Sequence, residues 1–133
     1  MLDFITSTNI LNIMIQNLNE LFETEEKSFY QRVIKAIKDI PKGKVATYGQ
    51  VALVAGNSRA ARQVPYILHS STKKYALPWH RVVSSKGSIS LKPKKGYELQ
   101  MKLLKKEGIV FDKKNCIDLK KFGLSPHSFN IQD

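Results

Sequence analysis

The stretch Thr47–Ser71, "TYGQVALVAGNSRAARQVPYILHSS", decides the fold. Thr47 and Gln50 stand at capping-box spacing, in which a hydroxyl and an amide each satisfy a backbone N–H that the first helical turn leaves free. Val51, Ala52, Leu53 and Val54 then supply a short apolar helix, and Gly56 is placed to end it. Asn57 continues the turn and Ser58 is expected to cap a second helix, giving helix, turn and helix within about twenty residues. Two helices joined by a glycine turn also occur as plain packing in small α-rich domains. The second helix argues for more, because Arg59 and Arg62 lie in its first turn, where they oppose the helix dipole and gain nothing locally. Phosphate or base contact supplies a reason outside the helix.

Upstream, "NILNIMIQNLNELF" repeats apolar residues at Ile10, Met14, Leu18 and Leu21, flanked by Leu11, Ile15 and Phe22, which predicts a helix over residues 9–23. The acidic "ETEEK" reads as a junction, and "SFYQRVIKAIKDI" as a second helix with Phe29, Val33, Ile37 and Ile40 on one face. Downstream, "RVVS", "SKG" and "SISL" read as strand, turn and strand, with Gly87 in the turn. "KPKKG" is a basic loop. Tyr97, Leu99, Met101, Leu103 and Leu104 then populate a helix that Gly108 can terminate. Glu107 falls in its last turn, where the dipole disfavours an anion, so a tertiary partner is expected for it. The tail from Ile109 offers one short strand and polar residues.

At 133 residues the chain suits one compact core. The net charge of +11 is unevenly spread. No Lys or Arg precedes Lys27, whereas residues 27–133 carry all 22 basic residues and 6 of the 11 acidic ones, a net of +16. A surplus of that size repels itself unless a polyanion sits against it, and nucleic acid is the first candidate beside a merely solvated basic surface. The basic residues are scattered over many elements, which argues against a membrane surface. The chain lacks a basic signal-type start and any apolar run near the roughly twenty residues of a membrane span. The expectation is therefore a soluble protein, cytoplasmic (nucleoid-associated in a bacterium) or nuclear. Cys116 is the one cysteine, and His69, His80 and His127 have no ligand spacing, so neither a metal nor any other cofactor is expected.

Ala76–Val83, "ALPWHRVV", completes a pattern. "GKVATYGQVA", "NSRAARQV" and "PWHRVV", in this order and at these distances, closely resemble the DNA-binding domain of the O6-alkylguanine-DNA alkyltransferases, from about Phe29 to Phe111. The resemblance implies a mostly α fold with a small β-hairpin, a winged-helix-like helix-turn-helix domain of the alkyltransferase C-terminal type. It divides the chain into an N-terminal helical extension, residues 1–26, and the domain proper, residues 27–133. In the transferases the signature reads Pro-Cys-His-Arg-Val, and the cysteine accepts the alkyl group. Here that position is Trp79, whose indole offers an N–H donor and no nucleophile comparable to a thiolate. The sequence thus resembles the alkyltransferase-like branch, which binds O6-alkylguanine without repairing it and presents it to nucleotide excision repair.

The resemblance assigns roles residue by residue. Arg62 matches the arginine finger that fills the space of the extruded nucleotide, and its planar guanidinium can stack and donate at once. Tyr48 matches the tyrosine that promotes rotation of the nucleotide and lines the pocket. Trp79 would form a pocket wall, and the backbone around Val82 would meet the base edge. Ser58, Arg59, Lys94 and Lys95 join Tyr48 and Arg62 as expected DNA contacts. His80 and Glu107 match the pair that helps ionise the cysteine, and without a thiol they become structural remnants. No catalytic residue is expected.

Three departures stand out. Pro65 replaces the family's usual glycine inside the recognition helix, Ser71 replaces the hinge asparagine, and "LKPKKGY" does not match the glycine-rich pocket loop. The expected partner is duplex DNA containing O6-alkylguanine, bound by a monomer, with repair proteins downstream. Two other readings stay open: a helix-turn-helix transcription regulator without lesion specificity, and a residual transferase using Cys116.

Overall fold

The computed structural model describes residues 2–125, with side chains from Asn9 onward; His127 and the rest of the tail lie outside the described residues. A single helix, α1, runs from Leu2 to Lys38. The "ETEEK" stretch lies within it and separates nothing. The reason is local: the first proline is Pro41 and the first glycine Gly43, while Glu and Lys are good helix formers. Along the second half of α1, Val33, Ile34, Ala36 and Ile37 are buried.

The chain turns through Pro41 and Gly43, the latter at φ +84°, into the short strand β1, Ala46–Thr47. Helix α2, Tyr48–Val54, begins with the capping box that the sequence predicts: the Gln50 N–H donates to the Thr47 hydroxyl, and the Thr47 N–H donates to the Gln50 side chain. Gly56 takes φ +96° in the turn. The Arg32 Nε donates to the Ala55 carbonyl at 2.6 Å, fixing the end of α2 to α1.

The second helix differs from expectation at its start. Asn57, not Ser58, is the cap, accepting from the Arg59 N–H at 3.1 Å. Residues Ser58–Gln63 form a 3-10 segment with a kink at Ala60, and α3 proper runs Val64–Tyr75. Pro65 explains the division. Inside a continuous α-helix its ring would clash with the carbonyl four residues earlier, whereas in the first turn of α3 the N–H it lacks has no intrahelical acceptor.

The expected hairpin is replaced by a parallel pair. Strand β2, Val82–Val83, pairs with β1 in the register Ala46 with Val82 and Thr47 with Val83. The turn does close, with the Ser84 N–H donating to the Ser88 carbonyl at 3.0 Å and Gly87 at φ +78°. The returning strand fails because the Gly87 carbonyl instead accepts from the Ile117 N–H at 2.9 Å, tying the turn to the C-terminal segment. Helix α4, Tyr97–Lys106, ends before Gly108 as read from the sequence. A further short helix, α5, Leu119–Phe122, is capped by Asp118.

Two apolar clusters result. One joins α1, α2 and α3 through Val33, Ile37, Val51, Val64 and Leu68; the other joins β2, α4 and the C-terminal segment through Val83, Leu104, Ile109 and Ile117. Tyr48 and Trp79 lean on the first cluster, at the seam where a cleft opens.

Candidate nucleic-acid interface

The 3-10 segment presents its arginines outward. Ser58, Arg59 and Arg62 are exposed, and among the described residues neither guanidinium has a hydrogen bond or ion pair. Elsewhere guanidinium groups are committed: Arg32 holds a carbonyl and Arg81 a carboxylate. Free arginines on a tightly wound, kinked segment are available to a ligand.

A cleft of about 360 Å³, whose lining includes Pro65 in the first turn of α3, brings together Tyr48, Trp79 and Val82. Tyr48 is placed there by the capping box, as the first residue of α2. Trp79 opens a single 3-10 turn, Trp79–Arg81, its N–H donating to the Leu77 carbonyl at 2.8 Å. Its ring meets the His80 imidazole edge-on, with centroids 6.2 Å apart. Leu91, Lys95 and Leu99 complete the far side. Lys94 sits in the same loop at φ +65°, its N–H donating to the Glu98 carboxylate at 3.0 Å. A larger concavity of about 790 Å³, between α1 and the turn after α2, contains none of these residues.

Glu107 has the partners its unfavourable helix position implies. It accepts from His80 Nε2 at 2.8 Å, from Arg81 Nη2 at 2.9 Å and from the Gly43 N–H at 3.3 Å. Burial pushes this carboxyl up, but the hydrogen bonds from Arg81, His80 and Gly43 outweigh it and hold it down at about 2. Arg81 also donates to the Ile40 carbonyl at 2.8 Å, so the network clamps the end of α1, the loop after it and α4 around the Trp79 turn.

Two residues of this frame are absent from the sequence-level site. Arg81 was visible inside "PWHRVV", with nothing in its spacing to name Glu107 as its partner. Gln100 is buried, and its Nε2 donates to the carbonyls of His80 at 3.1 Å and Val82 at 3.0 Å. A polar residue three after Tyr97 and four before Leu104, on the apolar stripe of α4, was its signal. Ser71, in the hinge asparagine's place, is buried and hydrogen-bonds the Tyr30 hydroxyl. Cys116 lies in the turn closed by Asp112, outside the cleft. Among the described residues no group of three His, Cys, Asp or Glu is placed to hold a metal, and no helix is long and apolar enough to cross a membrane.

Comparison with known proteins agrees with this architecture. The profile of the family described as 6-O-methylguanine DNA methyltransferase, DNA binding domain, matches residues 28–109. A DNA base-flipping protein of Escherichia coli is 44% identical over 100 residues, covering 74% of this chain and 75% of that protein. Alkyltransferase-like protein 1 of Schizosaccharomyces pombe is 39% identical over 82 residues, covering 61% of this chain and 76% of that protein. The crystal structure of S. pombe Atl1 in complex with damaged DNA containing O6-carboxymethylguanine superposes with a TM-score of 0.66 at 32% identity, covering 75% of this chain and 97% of that chain. Profile, sequence relatives and fold thus converge, and the chain belongs to the 6-O-methylguanine DNA methyltransferase DNA-binding family, among its alkyltransferase-like members.

Proposed function

We propose that this protein binds duplex DNA, turns an O6-alkylguanine nucleotide into the cleft between Tyr48, Trp79 and Val82, and holds it there with the alkyl group intact, marking the lesion for nucleotide excision repair. The observation that carries this reading is the cleft itself: an indole stands at its wall, and the chain's one cysteine lies elsewhere. The names of the E. coli relative and of the S. pombe complex support the DNA and lesion parts of it.

The residues divide the work. Ser58 and Arg59 meet the backbone at the start of the 3-10 segment, and Arg62, unencumbered, enters the stack and fills the vacated space. Tyr48 crowds the adjacent phosphate. Lys94 and Lys95 supply charge at the cleft mouth. Extruding a base costs a few kcal/mol of stacking and pairing. Aromatic stacking of the kind Trp79 offers returns about 1–3 kcal/mol, enough to offset much of that cost. His80 and Glu107, with Arg81, act as a fixed frame under the Trp79 turn. No acceptor in the cleft can take the alkyl group, so binding energy is held in the complex. The cleft is built from a single chain, so one copy suffices to hold one nucleotide. Such a protein works where the DNA is, in the cytoplasm of a bacterium or in a nucleus.

The test is an equilibrium titration against two duplexes differing by one O6-methylguanine, with the modified base assayed afterwards. Tighter binding to the modified duplex, with its methyl group retained, is expected. Equal binding would mean a general DNA-binding protein, and loss of the methyl group would mean a working acceptor such as Cys116.

A further inference from the structure

We propose that the first half of α1, residues 9–25, is an interaction surface for a second copy of this chain, the two helices packing antiparallel. Ile10, Leu11, Met14, Ile15, Leu18, Leu21 and Phe22 are each 48–65% exposed, and among the described side chains none before Phe29 joins either apolar cluster. On a helix of 3.6 residues per turn these seven side chains fall within an arc of about 140°, an apolar stripe of the width that helices bury. The same arc continues into Phe29, Val33 and Ala36, so the face that leaves the domain runs into one that packs inside it.

Area and charge select the occupant. The stripe exposes roughly 800 Å² of apolar surface, about what one partner brings to a stable interface. Exposed apolar surface of that extent on one helix marks an interaction site. Between Asp3 and Glu20 the chain carries no charged residue, whereas Glu20, Glu23, Glu25 and Glu26 follow within seven positions. A second copy running the opposite way lays its uncharged half across this acidic half. A parallel copy would set the four glutamates against their equivalents and bring the two +16 bodies together. Where the stripe meets the body, the 790 Å³ concavity lined by Glu25, Glu26, Phe29, Tyr30 and Ile67 leaves room for the end of the incoming helix. Antiparallel pairing holds two DNA-binding bodies at opposite ends of one particle.

Sedimentation equilibrium of the full chain over a concentration series tests this. The expected result is a species of twice the 15.1 kDa chain mass, with its dissociation constant raised on the order of 100-fold by Leu18→Glu, which buries a charge in the pair. Asn12→Glu, on the opposite face, should leave the dimer intact. Both variants should keep the melting temperature of the single body, since neither position packs in it. A chain that stays monomeric at every concentration, leaving the stripe to a different protein, overturns the proposal, as does a dimer indifferent to Leu18→Glu. In a Cys116→Ser background, a disulfide formed readily between copies by Leu11→Cys, within the stripe and near its N-terminal end, would mean parallel helices and would also overturn it.

Discussion

The two halves of α1 carry the same apolar periodicity and meet opposite fates. Val33 and Ile37 are fully buried, whereas Ile10, Leu18 and Phe22, three or more turns earlier in the same helix, remain more than half exposed. Periodicity therefore states which side of a helix seeks cover; it does not state whether the chain itself provides the cover. The halves differ in charge as well, since the exposed half is acidic and the packed half opens the basic body.

Substitution should separate the halves most sharply at their apolar positions. Ile37→Ala leaves a cavity at a fully buried site, and a loss of about 2–5 kcal/mol in chemical denaturation is expected. A loss below 1 kcal/mol would mean that the packed half is no more constrained than the exposed one. Next in size is Glu107, which binds the end of the packed half through Arg81 and Ile40. Its carboxyl is held below its usual 4.5, at about 2. The folded state therefore binds its proton less readily than the unfolded chain does, and the stabilisation is present above pH 4.5 and lost as pH falls toward 2. Glu107→Gln should cost about 3 kcal/mol at neutral pH and flatten the acid limb of the stability curve; an unchanged limb would discharge the network from that role.

The charge contrast gives smaller effects, read in binding. Arg62→Ala should weaken binding to modified and unmodified duplex alike by about 1–3 kcal/mol, because the finger fills the stack in either case. Affinity of the intact chain should fall steeply with added salt as lysines displace counterions. A flat salt response would leave the basic body without its polyanion. The smallest effect belongs to the exposed half: Leu18→Ala should change the stability of a single chain in dilute solution by less than about 0.5 kcal/mol.

Local chemistry was the legible part of this sequence. Thr47 with Gln50, Gly56 and Gly108 act where the residues alone place them, because caps and left-handed turns depend on neighbours a few positions away. The family resemblance put Tyr48, Trp79 and Val82 at one pocket, and the structure lines a cleft with all three. Long-range pairing was opaque. The segment after Ser88 has the periodicity of a strand and forms none, because the Gly87 carbonyl bonds Ile117, thirty positions away. The 3-10 winding before Pro65 depended on a clash that is visible only once the register of α3 is known. The proposed self-pairing departs from the monomer expected at the outset for the same reason: sequence identifies the stripe and is silent on its cover.

Gln100 has a consequence for tolerance. Because one amide nitrogen pins the carbonyls of His80, within the Trp79 turn, and Val82, just after it, to α4, the aromatic side of the cleft behaves as a fixed jaw. The opposing jaw is the loop through Leu91, Lys95 and Gly96, where Leu91 lies so close to Gly96 that a Cβ there would meet it at 2.9 Å. Under the proposed function, bulkier adducts would gain their room from that loop. The breadth of damage admitted would then be tuned by a few residues far in sequence from the helix pair proposed to meet the DNA, leaving the two properties free to evolve separately.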